Sequence, residues 1–418
     1  MFKNIVASME SLPRRVPIPQ NGVDYRNTVV LAPMVRSGEL PSRLLALKYG
    51  ADLVWGPETV DRSMIGTTRR FNPITSTIDF TRTPSNASRI PPSVQKESVI
   101  YRLHPTREHG KLIFQIGTAS PELAVAAAKL VAEDVAGIDV NAGCPKPFST
   151  SGGMGAALLQ TPELLASILR ALVEQVGKVY EIGISVKIRL LETPEKTAAL
   201  VGTLCRTGIT GLTVHCRTTP MRPRERAIRE QLKMIAYICR GQGVACLMNG
   251  DVKNRDEALE LTREFGVDGA MIATAAEANS SCFRSEAEGG LLPWKIVVYE
   301  YLKIALDVDN KWGNSKFLLS QLMPGKAQVY KELSGCKNYA QACKALGVED
   351  LYEHALEVDQ RLGISDEQQL HFHEAVKKAK EQNKSAKAAG QMVKGMSRDV
   401  SRSSLSKRGI GATPAMAV

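Results

Sequence analysis

Eight short apolar runs, each followed by a stretch of helical period, constrain this chain more than any other feature. They are TVVLAP (28–33), ADLVW (51–55), KLIFQ (111–115), AGIDVN (136–141), GISVKI (183–188), GLTVH (211–215), VACLMN (244–249) and GAMIA (269–273). Short, nearly continuous β-branched runs suit parallel strands, whose two faces are both covered. The stretches between them open on helix caps. Ser120-Pro121-Glu122, Thr161-Pro162-Glu163 and Thr193-Pro194-Glu195 each set a hydroxyl at the N-cap, proline at the first helical position and an acid at the positive end of the dipole. Asn254, with Glu257 three residues on, resembles a capping box. Eight strand–helix units in order, over roughly 250 residues, are the count of a closed (β/α)8 barrel. A doubly wound sheet would carry a glycine fingerprint after its first strand, and no GxGxxG follows Leu31. The expected class is therefore α/β: a (β/α)8 TIM barrel at 28–285, preceded by an N-terminal segment at 1–27.

One connection is too long for a plain loop: about 55 residues separate the second and third runs. Within this insertion, at about 56–110, STIDFTR and SVIYRLH alternate like the strands of a small hairpin. After Phe283 the pattern turns helical, which predicts a small all-helical domain at 286–375 with stretches at 326–346, 348–361 and 366–380. Residues 376–418 hold ten Lys or Arg against Glu381 and Asp399, and so carry eight of the net charge of +11. Rich in Ser, Ala, Gly and Lys, this tail reads as disordered, serving either solubility or a non-specific RNA contact.

Several function classes are disfavoured. No run reaches the roughly 18 apolar residues of a membrane span. The start, MFKNIVASMESLPRRVPIPQ, lacks the apolar core of a secretory signal, and Glu10 argues against a mitochondrial presequence. Eight cysteines occur without a CxxC pair, which speaks against structural zinc and against a secreted disulfide framework. A reducing compartment, the cytoplasm or the nucleus, fits best, and a monomer that binds no metal is expected.

Barrel enzymes carry reactive groups at the C-terminal ends of their strands. Here those ends offer Pro33 and Met34, Gln115, Asn141, Lys187, His215 and Asn249, whereas the strand interiors read as apolar and Lys187 as the one strand-end cation. Any one of these has a structural explanation, but six on one face point to a site. Amides, one lysine and one histidine suit a flat heterocycle with carbonyl and ring-nitrogen acceptors. Asn249-Gly250-Asp251 and Ala273-Thr274-Ala275 occupy the usual phosphate position of this fold. These residues suggest a cofactor without identifying it, and a Schiff-base aldolase using Lys187 stays open at this level. The most specific stretch runs from Asn141 through Cys144 to Leu159. It puts a cysteine on a polar, glycine-rich loop over the barrel mouth, where a thiol with a pKa near 8.5 is protonated at neutral pH.

LAPMVRSGELPSRLLALKYGADLVWGPE, FQIGT, GIDVNAGCPKPFSTSGGMGAALL, SVKIRLL, VHCRT and MNGDV, in this order, resemble the tRNA-dihydrouridine synthases over roughly residues 28–325. The similarity is greatest to the eukaryotic branch that acts on uridine 20 of the D-loop. It implies FMN held by Pro33, Met34, Val35, Gln115, Lys187, His215 and the loops of Asn249, Gly250, Asp251, Ala273 and Thr274. It further implies NADPH or NADH as reductant, hydride transfer from flavin N5 to uracil C6, and Cys144 as the proton donor to C5. Asn141 would meet the substrate base, Arg217 the flavin or the base, and the helical domain the tRNA, with Lys146 and Lys316 as candidate RNA contacts. Two departures bear on this. Cys216 stands where the family commonly has glycine, and Thr274 stands where it commonly has arginine, so the FMN phosphate is expected on backbone amides or another basic residue. The competing readings are a flavin barrel acting on a free pyrimidine and a degenerate barrel kept as an RNA-binding scaffold.

Overall fold

The computed structural model describes residues 18–83, 97–222, 224–325 and 327–371. The basic tail and most of the N-terminal segment lie outside the described residues. Twelve strands follow in chain order: β1 (Thr28–Leu31), β2 (Val54–Trp55), β3 (Thr59–Val60), β4 (Thr68–Asn72), β5 (Thr77–Arg82), β6 (Ser98–Leu103), β7 (Leu112–Gly117), β8 (Gly137–Ala142), β9 (Gly183–Leu190), β10 (Gly211–Thr218), β11 (Ala245–Asn249) and β12 (Gly269–Ile272). All pairings in the large sheet are parallel, and β2 pairs with both β1 and β7, which closes eight strands into a barrel. Short β3 continues beside β7, with Thr59 opposite Ile116, so the barrel wall holds the chain beyond the expected start of the insertion.

The strands alternate between two apolar layers because successive side chains point to opposite faces. Val29, Leu31, Phe114, Ile138, Val186 and Val214 face the helices in the larger core. Val30, Trp55, Ile113, Leu247 and Met271 turn inward, with Tyr25 against Trp55, and plug the barrel.

Ser120 and Thr193 cap their helices, accepting from the N–H groups of Leu123 and Lys196. Asn254 accepts from Glu257 N–H at 2.9 Å, although the Glu257 carboxylate reaches back to Lys253 rather than to Asn254. Thr161 makes no capping bond, because its helix follows directly on a 3-10 turn over Gly155–Gln160.

The insertion is a three-stranded antiparallel sheet, β4-β5-β6, rather than a hairpin. The strand added to that hairpin, β4 (TRRFN), is mostly exposed and so shows no apolar alternation in the sequence. Beyond the barrel come helices Trp294–Asp307, Trp312–Leu322, Gln328–Gly335, Tyr339–Leu346 and Tyr352–Leu362. The stretch expected at 326–346 is two helices, broken where Asn338 caps the second by accepting from Gln341 N–H. Helix Trp294–Asp307 packs on helix Leu40–Lys48, with Lys48 paired to Glu300. No helix among the described residues is long and apolar enough to cross a membrane.

Candidate active site

The apolar plug gives way to polar side chains toward the strand C-termini. On β8 the inward positions are Asp139 and Asn141; on β9, Ser185, Lys187 and Arg189; on β10, Thr213, His215 and Arg217. Buried polar groups need partners, and here they form one string. Ser185 Oγ and Gln115 Nε2 donate to the two oxygens of Asp139, at 2.7 and 2.8 Å. Asn141 Nδ2 donates to Gln115 Oε1 at 3.2 Å. The Asn141 carbonyl oxygen then accepts from the backbone N–H groups of Gly143 and Cys144, at 3.0 and 2.9 Å. The barrel interior thus fixes the loop that carries Cys144.

That loop roofs a cavity of about 360 Å³. Pro33, Met34, Val35, Gln115, Asn141, Cys144, Lys146, Lys187 and His215, all expected at the site, line it together. A second cavity of about 150 Å³ is lined by Arg217, Asn249, Gly250, Asp251, Ala273 and Thr274. Arg189 and His215 border both, so the two are lobes of one site. Lys316 lies in neither lobe; its ammonium donates to the carbonyls of Ser334 and Cys336, at 2.7 and 2.8 Å.

The second lobe is built by ion pairing and a tight turn. Arg217 Nη2 donates to Asp251 Oδ1 at 2.6 Å, and its Nη1 lies 3.3 Å from His215 Nε2. The other Asp251 oxygen accepts from Ala227 N–H. Gly250 has φ +129°, a conformation that side chains resist, and a Cβ there would press on Ala227. Arg229 donates to the carbonyls of Gly250 and Asp251, which closes the turn from outside.

The expectation that Lys187 is the one strand-end cation does not hold. Arg189 on β9 and Arg217 on β10 join it, because both strands run further than their apolar runs suggest. Arg189 is braced by the carbonyls of Gly143 and Thr218, at 2.7 and 3.1 Å. This concentration of positive charge acts on the titrating groups. Burial, with the Arg189 charge beside it, lowers the Lys187 ammonium to about 8. Burial and then the Lys187, Arg189 and Arg217 charges push His215 down to about 2, so its ring is neutral at working pH. Burial raises Asp139 to about 6. The Cys144 thiol moves up, through burial and then the nearby Glu58 carboxyl, and so holds its proton at neutral pH. The other seven cysteines are buried.

Sequence reasoning missed Asp139, Arg189, Glu58, Glu277 and Phe317. The period of two would have found the first two, since Asp139 precedes Asn141 by two residues and Arg189 follows Lys187 by two. Glu58 stands three residues beyond the end of β2, as Cys144 stands three beyond Asn141. Glu277 accepts from the Ser37 hydroxyl at the cavity rim. No local signal marks Phe317, which reaches the mouth from helix Trp312–Leu322 and lies under the Arg36 guanidinium, 4.4 Å from its ring centroid.

The family described as dihydrouridine synthase (Dus) matches residues 30–307. A tRNA-dihydrouridine(20) synthase (NAD(P)+) of Schizosaccharomyces pombe is 51% identical over 338 residues, spanning 80% of this chain and 67% of that protein. The protein of the same description in Saccharomyces cerevisiae is 44% identical over 322 residues, spanning 76% of this chain and 82% of its own. A tRNA-dihydrouridine(20a/20b) synthase (NAD(P)+)-like protein of Homo sapiens is 28% identical over 279 residues, spanning 67% and 76%. On the extent of the family match and the identity to two relatives over most of their length, this chain belongs to the dihydrouridine synthase family.

Proposed function

We propose that this protein reduces the C5=C6 bond of uridine 20 in tRNA to 5,6-dihydrouridine, with FMN resident in the barrel mouth and NAD(P)H as reductant. The observation that carries this reading is Cys144, a protonated thiol held over a cavity walled by Lys187, Gln115, Asn141 and a neutral His215. The position in the tRNA follows the relatives designated 20, at 51% and 44% identity, against 28% for the 20a/20b relative.

The donor set fits FMN. An ammonium and amide groups in the larger lobe suit the acceptors of an isoalloxazine. Arg189 and Arg217 in the smaller lobe suit a phosphate and take the place of the arginine expected at Thr274. Pro33, Met34 and Val35 would bound the ring edge, and the turns at 249–251 and 273–274 would bound the phosphate. Bound there, FMN would supply the hydride, drawn from NAD(P)H, that adds to C6 of the uracil. The chain's own groups do the rest. Asn141 keeps one amide hydrogen for the base, since its bonds to Gln115, Gly143 and Cys144 use only the other N–H and the oxygen. Cys144 protonates C5 and so neutralises the charge that hydride addition leaves. The target base must leave its stack, at a cost of a few kcal/mol. Exposed Lys146 on the loop and the helical part beside Phe317 are the groups available to offset this by holding the RNA. Lys316 is left out, because its ammonium is already bonded to two carbonyls.

The test is to purify the protein, record its flavin absorbance, and map dihydrouridine in tRNA from cells lacking the gene. Loss at position 20 alone is expected. Unchanged tRNA, or protein that stays colourless with excess FMN, overturns the reading.

A further inference from the structure

Glu58 is a buried carboxyl in the cavity wall, at the end of the first stretch that carries the resemblance but without a role in the site described above. One of its oxygens accepts a hydrogen bond from Ser149 Oγ at 2.7 Å, and Ser149 is itself fully buried within the loop that carries Cys144. Its other oxygen, Oε2, is buried without a hydrogen-bond partner. The neighbouring backbone is shaped to admit this side chain, because a Cβ on Gly117 would lie 2.6 Å from Glu58 Oε1. Burying a carboxylate oxygen without a donor is costly, and this outweighs the Ser149 and Cys144 interactions and the Lys146 charge that favour the anion. Burial accordingly raises its proton affinity, and the interaction with the Cys144 thiol runs in both directions. The other charged groups facing the thiol, Lys146, Lys187 and Arg189, are basic side chains, so Glu58 is the one acid among them.

A thiol that gives its proton to carbon in each turnover must recover it before the next. We propose that Glu58 returns that proton to Cys144, acting through the thiol and never on the base. The S–H bond of Cys144 breaks as the C5–H bond forms, which leaves a thiolate. The O–H bond of Glu58 then breaks as S–H re-forms, and the carboxylate takes up a proton from solvent, the one proton that each reduction consumes; no group changes oxidation state in this exchange.

The inference rests on the proposed reduction, and its test separates the two. Holoenzyme reduced with NADPH is mixed with unmodified tRNA, first with enzyme in excess and then with tRNA in excess. For Glu58→Gln the first turnover should stay within about two-fold of wild type, while later turnovers slow by at least about ten-fold, the lower side of general acid–base effects. Formate should restore the later turnovers of Glu58→Ala. A merely structural anchor would slow the first and later turnovers alike, and that result, or no slowing at all, sinks the proposal. Alkylation of Cys144 followed by mass spectrometry gives a readout that needs no turnover. Removing the acidic neighbour should move its pH midpoint downward, and an unmoved midpoint counts against Glu58 even if folding of a variant clouds the kinetics. A wild-type protein that makes no dihydrouridine overturns the reduction instead.

Discussion

The side-chain oxygen of Asn141 accepts the backbone N–H of Cys144 at 2.9 Å, so the reactive loop is tied to the end of β8 by a single amide. The same oxygen holds Gly143, and the amide nitrogen is bonded to Gln115. Replacing Asn141 with alanine leaves two backbone donors unsatisfied, at roughly 1–3 kcal/mol of stability. It also frees the thiol to drift, and a misplacement of about 1 Å costs on the order of 100-fold in rate. Asn141→Ala should therefore lower dihydrouridine formation about 100-fold while FMN content stays near wild type. Turnover within a few-fold of wild type would show that Asn141 does not position Cys144.

Cys144→Ala removes the proton donor and nothing that holds the cofactor. The variant should bind FMN and tRNA as wild type does and lose most dihydrouridine formation. The thiol is raised above its ordinary range, chiefly by burial, so wild-type activity should persist across neutral pH and fall only as alkaline pH strips the proton. An activity profile that rises as the thiol ionises would mean that the thiolate acts, and would remove Cys144 as the acid.

Much of this site is legible in the sequence, and the unreadable part has a physical cause. Gln115, Asn141, Lys187, His215 and Asn249 announce themselves because each interrupts an apolar run at its end. Arg189 and Arg217 lie past those ends, where the backbone remains a strand although the apolar pattern has stopped. Alternation alone carries them, and it is easily taken for loop polarity. The exposed strand Thr68–Asn72 is hidden for the opposite reason, since an edge that buries little has no apolar signature. Phe317 meets the mouth 281 residues beyond Arg36, the residue stacked on its ring, and only tertiary packing records that contact.

The smaller lobe predicts how FMN affinity is divided. Lys187→Ala removes a cation at the larger lobe, and Arg217→Ala removes a guanidinium at the smaller one and leaves Asp251 without its ion pair. A charge-assisted hydrogen bond contributes about 1.5–3 kcal/mol, so each change should weaken FMN about 10- to 100-fold in a fluorescence titration. Lys316→Ala should leave FMN affinity unchanged. Wild-type affinity in Arg217→Ala would move the phosphate away from this lobe.

His215 gives a stability prediction with a definite sign. Its folded pKa, pushed down to about 2 by burial and three cations, lies below the roughly 6.5 of an unfolded histidine. The unfolded chain therefore takes up the proton first as pH falls. The stabilisation is complete above about pH 6.5 and is lost progressively below it, reaching about 2 kcal/mol at pH 5. Chemical denaturation of His215→Asn should show a smaller loss between pH 7 and pH 5 than wild type. Equal losses would mean that His215 is protonated in the folded protein.

Arg102 on β6 joins three parts of the molecule, and its removal tests what the inserted sheet is for. Its guanidinium pairs with Asp79 on β5, with Nη2 at 2.5 Å, and Nη1 donates to the carbonyls of Val308 and Asp309 at the end of helix Trp294–Asp307. The next helix carries Phe317 to the cavity, so Arg102 sets where the helical part meets the barrel mouth. Arg102→Ala leaves Asp79 short of its cation and two carbonyls without a donor, at roughly 3 kcal/mol for a mostly buried pair. FMN binding depends on the barrel and should be untouched, whereas KM for tRNA should rise about ten-fold and protease cleavage near 308–311 should accelerate. Unchanged cleavage and KM would show that the inserted sheet does not hold the helices in place, and would leave that role to the packing on helix Leu40–Lys48 and the contacts of Glu39 with Asn314 and Arg36 with Phe317.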